Sequence, residues 1–137
     1  MASTQVEGEI TAPIDDVWKV VSDFGGFIGA QGLPAEVEGQ GVGAVRKVTL
    51  GSAVIIERLE GIDEENRSTS YSIVEGPLPA TGYLATIRLE PAGEAATRIH
   101  WSSTFEPSGG MSDADVAETI ANVHRGGIKG LQRHFAG

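Results

Sequence analysis

The sequence contains no cysteine, which excludes disulfides, thiolate nucleophiles and cysteine-ligated metals. Basic residues are few: ten Lys and Arg stand against nineteen Asp and Glu, a formal net charge of −9, with no basic run anywhere. Nucleic acid and anionic membrane surfaces are therefore poor partners. No apolar run approaches the ~20 residues that a membrane-spanning helix requires. The opening MASTQVEGEITA has neither a positive start nor an apolar stretch, so no secretory signal is expected and the location is expected to be cytoplasmic. Aromatic residues make up only 6% of the chain, whereas glycines number 19. An interior short of bulky side chains leaves room for a hollow. Linkers, repeats and low-complexity tracts are lacking too, and residues 1–137 read as one domain large enough for a single core.

Among the features present, the most informative is Gly43–Asp63, GAVRKVTLGSAVIIERLEGID. It reads as two strands joined at Gly51-Ser52, since glycine followed by a small polar residue suits a two-residue type II′ turn. That turn sets Leu50 opposite Ala53, Val48 opposite Ile55 and Arg46 opposite Glu57. Because side chains alternate along a strand, one face carries Ala44, Arg46, Val48 and Leu50 against Leu59, Glu57, Ile55 and Ala53. Arg46 and Glu57 are the only polar groups on it, directly across from each other. The opposite face presents Lys47, Thr49, Arg58 and Glu60, as a solvated surface should.

Around this hairpin the rest of the chain takes its place. Residues 4–11 form a first strand. Ala12-Pro13 opens a helix with Ile14, Val17, Trp18 and Val21 at helical spacing and Asp15-Asp16 at its positive end; Trp18 reads as a core anchor. The glycine-rich run from Gly25 to Pro34 reads as a short second helix or an irregular turn. Its apolar residues, Phe27, Ile28 and Leu33 with Phe24 just before them, either close one end of the core or form a flexible pocket wall. After a strand near 36–40 and the hairpin, a five-residue connection at 63–67 places Tyr71 and Ile73 on the Glu57 face. The strand at 83–90 puts Tyr83, Ala85, Ile87 and Leu89 on one face. In the last strand, 96–106, simple burial turns Ile99, Trp101 and Phe105 inward and His100 outward, while a bulge would reverse them. Ser112 with Asp115 marks the start of a long helix with Val116, Ile120, Val123, Gly127, Leu131 and His134 along one stripe. Gly126, Gly127 and Gly130 within it imply close approach to a sheet, a bend, or space left for something else. His124 and His134 read as structural rather than metal-ligating, and no metal or other cofactor is expected. The architecture is α+β: a curved antiparallel sheet gripping one long helix.

The order of elements, together with ITAPIDDVW…VSDFGGF, GAVRKVTL, ERLEGIDEENRSTSYSIVEGPLP and the closing strand before a long helix, resembles the START-like or SRPBCC superfamily. The likeness covers essentially the whole chain and is greatest to the polyketide cyclase/dehydrase branch. It implies a helix-grip fold: a seven-stranded antiparallel sheet around the carboxy-terminal helix, two short helices after the first strand, and a cavity open at one end. ERLEGIDEENRSTSYSIVEG is similar to the matching strands of abscisic-acid receptors, in which the residue equivalent to Glu57 joins a polar network around the ligand. IVEGPLPATGYLAT is similar to lachrymatory factor synthase, whose proton-transferring Arg, Glu and Tyr correspond to Arg46, Glu57 and Tyr83. The resemblance also favours turning His100 into the cavity. The receptors' long gate loop is reduced here to Gly51-Ser52, so hormone-style gating is not expected.

Three functions remain open on these residues. One is binding of a small hydrophobic molecule, polyketide-, lipid- or hormone-like, by Arg46, Val48, Ile55, Glu57, Leu59, Tyr71, Ile73, Tyr83, Ala85 and His100. Ala44 and Ile87 complete that apolar lining. A second is cyclase, dehydratase or isomerase chemistry in which Glu57 shuttles a proton while Arg46 and Tyr83 stabilise developing oxygen charge. The third is a purely structural Arg46–Glu57 pair in a protein-interaction domain; burying two charges has a desolvation cost that stability alone explains poorly. Either a monomer or a homodimer is compatible with the sequence.

Overall fold

The computed structural model describes residues 2–136. The elements run β1 (Ala2–Ile10), α1 (Ile14–Val21), α2 (Gly26–Ala30), β2 (Ala35–Glu38), β3 (Val45–Leu50), β4 (Ala53–Asp63), β5 (Ser68–Glu75), β6 (Ala80–Pro91), β7 (Thr97–Pro107) and α3 (Asp113–Ala136). All seven strands form a single antiparallel sheet in the order β1-β7-β6-β5-β4-β3-β2. The two short helices after β1 and the long carboxy-terminal helix are those of the expected helix-grip architecture.

Local sequence explains the element ends. Pro13 sits in extended conformation just before α1, one position earlier than anticipated, and the Asp15-Asp16 pair follows in the first turn. Ser112 accepts a hydrogen bond from the Asp115 backbone N–H at 3.1 Å, which caps α3. Gly51 has φ +65°, the left-handed value required at the first position of the β3–β4 turn. The resulting register pairs Arg46 with Glu57, Val48 with Ile55 and Leu50 with Ala53, as alternation required.

Bulges curve the sheet. Register shifts occur in β4–β5 at Ile56/Glu57 and at Leu59/Gly61, and in β6–β7 between Thr81 and Leu84, where Gly82 has φ +61°. An extra residue on one strand bends it and increases its twist. The β1–β7 pairing, by contrast, runs without a shift from Ala2↔Phe105 to Ile10↔Thr97. Strict alternation therefore holds along β7, and Thr97, Ile99, Trp101, Ser103 and Phe105 are all buried.

Helix α3 lies mainly against β1 and β7 rather than over the middle of the sheet. Two glycines allow this approach. A Cβ on Gly8 of β1 would stand 2.6 Å from Ile128 Cγ2, and one on Gly127 would stand 2.7 Å from the Trp101 ring. The helix's buried side is consequently Val116, Ile120, Ala121, His124, Gly127, Ile128, Gly130 and Leu131. Val123 and His134, expected on the buried stripe, are exposed, because docking on the β1–β7 side rotates them out of the core. The scarce aromatics gather on the same side: Phe27 meets Trp101, and Tyr83 meets Tyr71 and Phe105. The β3–β4 side receives Ala44, Val48 and Ile55 instead, and that half of the interior is not filled. No helix among the described residues is long and apolar enough to cross a membrane.

Candidate functional site

The unfilled half is a cavity of about 440 Å³, within the 300–1,000 Å³ range of small-molecule sites. Its floor is built by Arg46 and Val48 of β3, Ile55 and Glu57 of β4, Tyr71 of β5 and Trp101 of β7. Ile28, Gln31 and Leu33 wall one side, so the glycine-rich segment after α1 supplies both core and pocket: Phe27 is buried in the first, Ile28 and Leu33 face the second. Asn122, Val123, Gly126 and Arg133 of α3 form an exposed rim.

The alternation that set Arg46 opposite Glu57 also brings their charges together. Arg46 Nε donates to Glu57 Oε1 at 2.7 Å, and Arg46 Nη1 donates to the Phe24 carbonyl at 2.9 Å. The guanidinium lies 4.0 Å from the centre of the Phe24 ring and 4.8 Å from that of Tyr71. Arg46 is 2% exposed and Glu57 8%. Burial pushes the Glu57 carboxyl above its usual pKa, and the Arg46 charge and hydrogen bond oppose that shift without reversing it. Two of the three guanidinium nitrogens thus have hydrogen-bond partners among the described residues, and the residue as a whole forms part of the cavity floor.

Behind this pair lies a layer of polar aromatics. Trp101 Nε1 donates to the Tyr71 hydroxyl at 3.2 Å. Burial, followed by the Glu57 charge, raises the Tyr71 pKa, so its hydroxyl stays protonated. Tyr83 contacts His124 Nε2 through its hydroxyl at 2.6 Å, and desolvation raises the Tyr83 pKa as well. His124 stacks on Trp101 with ring centroids 4.5 Å apart. Desolvation lowers its pKa to about 3, which makes it a neutral core residue. Its Nδ1 has no hydrogen-bond partner among the described residues.

Of the residues expected at the site, Arg46, Val48, Ile55, Glu57 and Tyr71 converge on the cavity. The others do not line it. Tyr83 sits one layer deeper, between Tyr71 and His124. Ala85 and Ile87 are packed in the core, Ile73 is half-buried beside Glu57 in the sheet, and Ala44 and Leu59 line a smaller hollow by Phe24. His100 faces the opposite way: its Nε2 lies 2.6 Å from Glu90 Oε1 and its Nδ1 3.4 Å from Glu7. The physical reason is the unbroken β1–β7 register, which leaves no bulge to reverse the strand. Burial won over the orientation that the resemblance favoured. Trp101, pointing inward, takes the place expected of His100. Gly126 and Gly127 were signalled by their glycine content; Arg133 and Asn122 carried no signal, because their role depends on where α3 docks.

The model of the family described as polyketide cyclase / dehydrase and lipid transport matches residues 1–136. The chain belongs to this family. MLP-like protein 423 of Arabidopsis thaliana is 28% identical over 116 residues, covering 74% of each chain. The XoxI protein of Bacillus cereus is 30% identical over 99% of this chain and 96% of its own, with a TM-score of 0.88. Norcoclaurine synthase of Thalictrum flavum, solved with dopamine and hydroxybenzaldehyde, has a TM-score of 0.75 over 96% of this chain and 84% of its own. Its 21% identity makes that a likeness of fold. In this member of the polyketide cyclase/dehydrase and lipid-transport family the hollow falls between α3 and the β3–β4 hairpin.

Proposed function

We propose that this protein binds a small, largely apolar molecule in the cavity between α3 and the β3–β4 hairpin. The observation that carries the reading is the position of the Arg46–Glu57 pair: it is buried, yet it forms part of the floor of an apolar chamber. A buried ion pair contributes little net stability compared with apolar residues of the same volume. A guanidinium and a carboxylate that both line a cavity can orient a carbonyl or hydroxyl group. The bound dopamine and hydroxybenzaldehyde of norcoclaurine synthase support a small-molecule class for this fold and name no ligand for this chain. Native mass spectrometry of the protein purified from its own host tests the reading. A co-purifying organic molecule, lost from an Arg46→Ala variant that still folds, is the expected result. Full retention by that variant would remove Arg46 from the site.

A second, enzymatic reading rests on Glu57. Its raised pKa and its place on the cavity floor equip it to take and return a proton, with Arg46 beside it to stabilise an oxygen that gains charge. Tyr71, rather than Tyr83, is the tyrosine positioned to join them, since Tyr71 lines the cavity and Tyr83 does not. Aldol-type cyclisation, dehydration or isomerisation of a carbonyl compound fits such a set. Once a substrate is identified, turnover that survives Glu57→Gln would eliminate this reading and leave binding alone.

A further inference from the structure

Two cations line the cavity, and they differ in kind. Arg46 is buried and already neutralised by Glu57. Arg133 is exposed at the rim and has no ion pair or hydrogen bond among the described residues. Asn122, Gly126 and Arg133 are spaced i, i+4 and i+11, which places them on one face of α3 over three turns. Gly126 keeps that face open, since a Cβ there would meet nothing within 4 Å. The surrounding charge is also asymmetric. Within a chain of net charge −9, residues 119–136 contain Arg125, Lys129 and Arg133 and no Asp or Glu. Arg125 is held by Glu118 and Asn122, whereas Arg133, on the cavity rim, has no such partner among the described residues.

We infer that the ligand is an amphipathic organic acid, its apolar body in the cavity and its carboxylate at the rim on Arg133. The inference rests on the binding reading above and gives it a ligand class and an orientation. An acid entering head first would bring its carboxylate against Glu57, so the pair on the floor favours an inward end that is apolar or a neutral carbonyl or hydroxyl. The chamber has room for on the order of 15 water-sized groups at about 30 Å³ each. That volume suits a medium-length aliphatic or fused-ring body. Arg133 also lies in the last turn of α3, where a cation stabilises the helix end whatever the ligand. The test therefore reads discrimination between ligands rather than stability.

The neutral fluorophore N-phenyl-1-naphthylamine serves as the cavity probe, displaced by dodecanoate or by dodecanol at about pH 8. For the unmodified protein, dodecanoate is expected to compete about fivefold better than the alcohol, the range of a partly exposed ion pair. Arg133→Ala should abolish that preference by weakening the acid more than the alcohol, Arg133→Lys should retain part of it, and added salt should weaken the acid more than the alcohol. Equal competition by acid and alcohol overturns the inference. So does an acid preference that persists in Arg133→Ala, which would place the carboxylate inward on Arg46. If the fluorophore itself fails to bind the folded protein, the binding reading falls and takes the inference with it; if it binds without acid preference, only the inference falls.

Discussion

Arg46 and Glu57 hold each other in place, and each explains what removal of the other should do. Arg46→Met leaves a buried carboxylate with no cation, a change that costs about 3–5 kcal/mol where the charge persists. The raised pKa of Glu57 indicates how it escapes: it takes up a proton. A group whose folded pKa lies above its unfolded value contributes stability that is present at low pH and lost as pH rises through the folded pKa. The Arg46→Met penalty should therefore grow as pH rises above the usual carboxylate range in urea unfolding, and Arg46→Met/Glu57→Leu should show no such growth. His124 runs the other way. Its pKa falls from 6.5 to about 3 on burial, so its stabilising contribution is complete above pH 6.5 and is lost on acidification. The expected slope is up to about 1.4 kcal/mol per pH unit across that window, absent in His124→Gln. Paired denaturation series at several pH values check both predictions.

At the scale of elements, the glycines of α3 do two different jobs. Gly127 lets the helix touch Trp101 and Gln31, whereas Gly126 faces open cavity. Gly127→Ala should destabilise by about 1–3 kcal/mol, because the ring or the helix must move. Gly126→Ala should stabilise by up to about 1 kcal/mol, since it gains helix propensity with no clash. Opposite shifts in the denaturation midpoint are expected; the same sign in both would contradict the packing described. The elements are also where sequence serves best and where it stops. The β3–β4 register follows from one two-residue turn and strict alternation, so Arg46 opposite Glu57 is legible in the residues alone. Tyr71 is legible too, though by compensation: the connection after β4 has four residues, 64–67, not five, and the extra residue of the bulge between Leu59 and Gly61 restores the parity that pairs Tyr71 with Leu59. The rim is not. Which residues of α3 overlook the cavity depends on the rotation of the helix against β1 and β7, set by contacts at Gly8 and Gly127 that no local pattern encodes. Tyr83 shares the correct face but not the cavity, because a face does not specify depth.

On the scale of the whole molecule, the cavity follows from uneven filling. Tyr71, Tyr83, Trp101, Phe105, Phe27 and His124 pack one side of the sheet's interior, and α3 leans towards them. The hairpin side keeps small aliphatics and a single ion pair, and remains hollow. Filling the hollow should block binding while leaving the fold intact, since Gly126 has open space around it. Titration of N-phenyl-1-naphthylamine into the unmodified protein and into Gly126→Leu tests this most directly, with the denaturation midpoint of each variant as the control for folding. We expect one probe per chain for the unmodified protein and an affinity reduced about tenfold or more for a Gly126→Leu protein that is equally stable. Undiminished binding by the filled variant would show that the probe sits elsewhere, and would contradict the cavity as the ligand site.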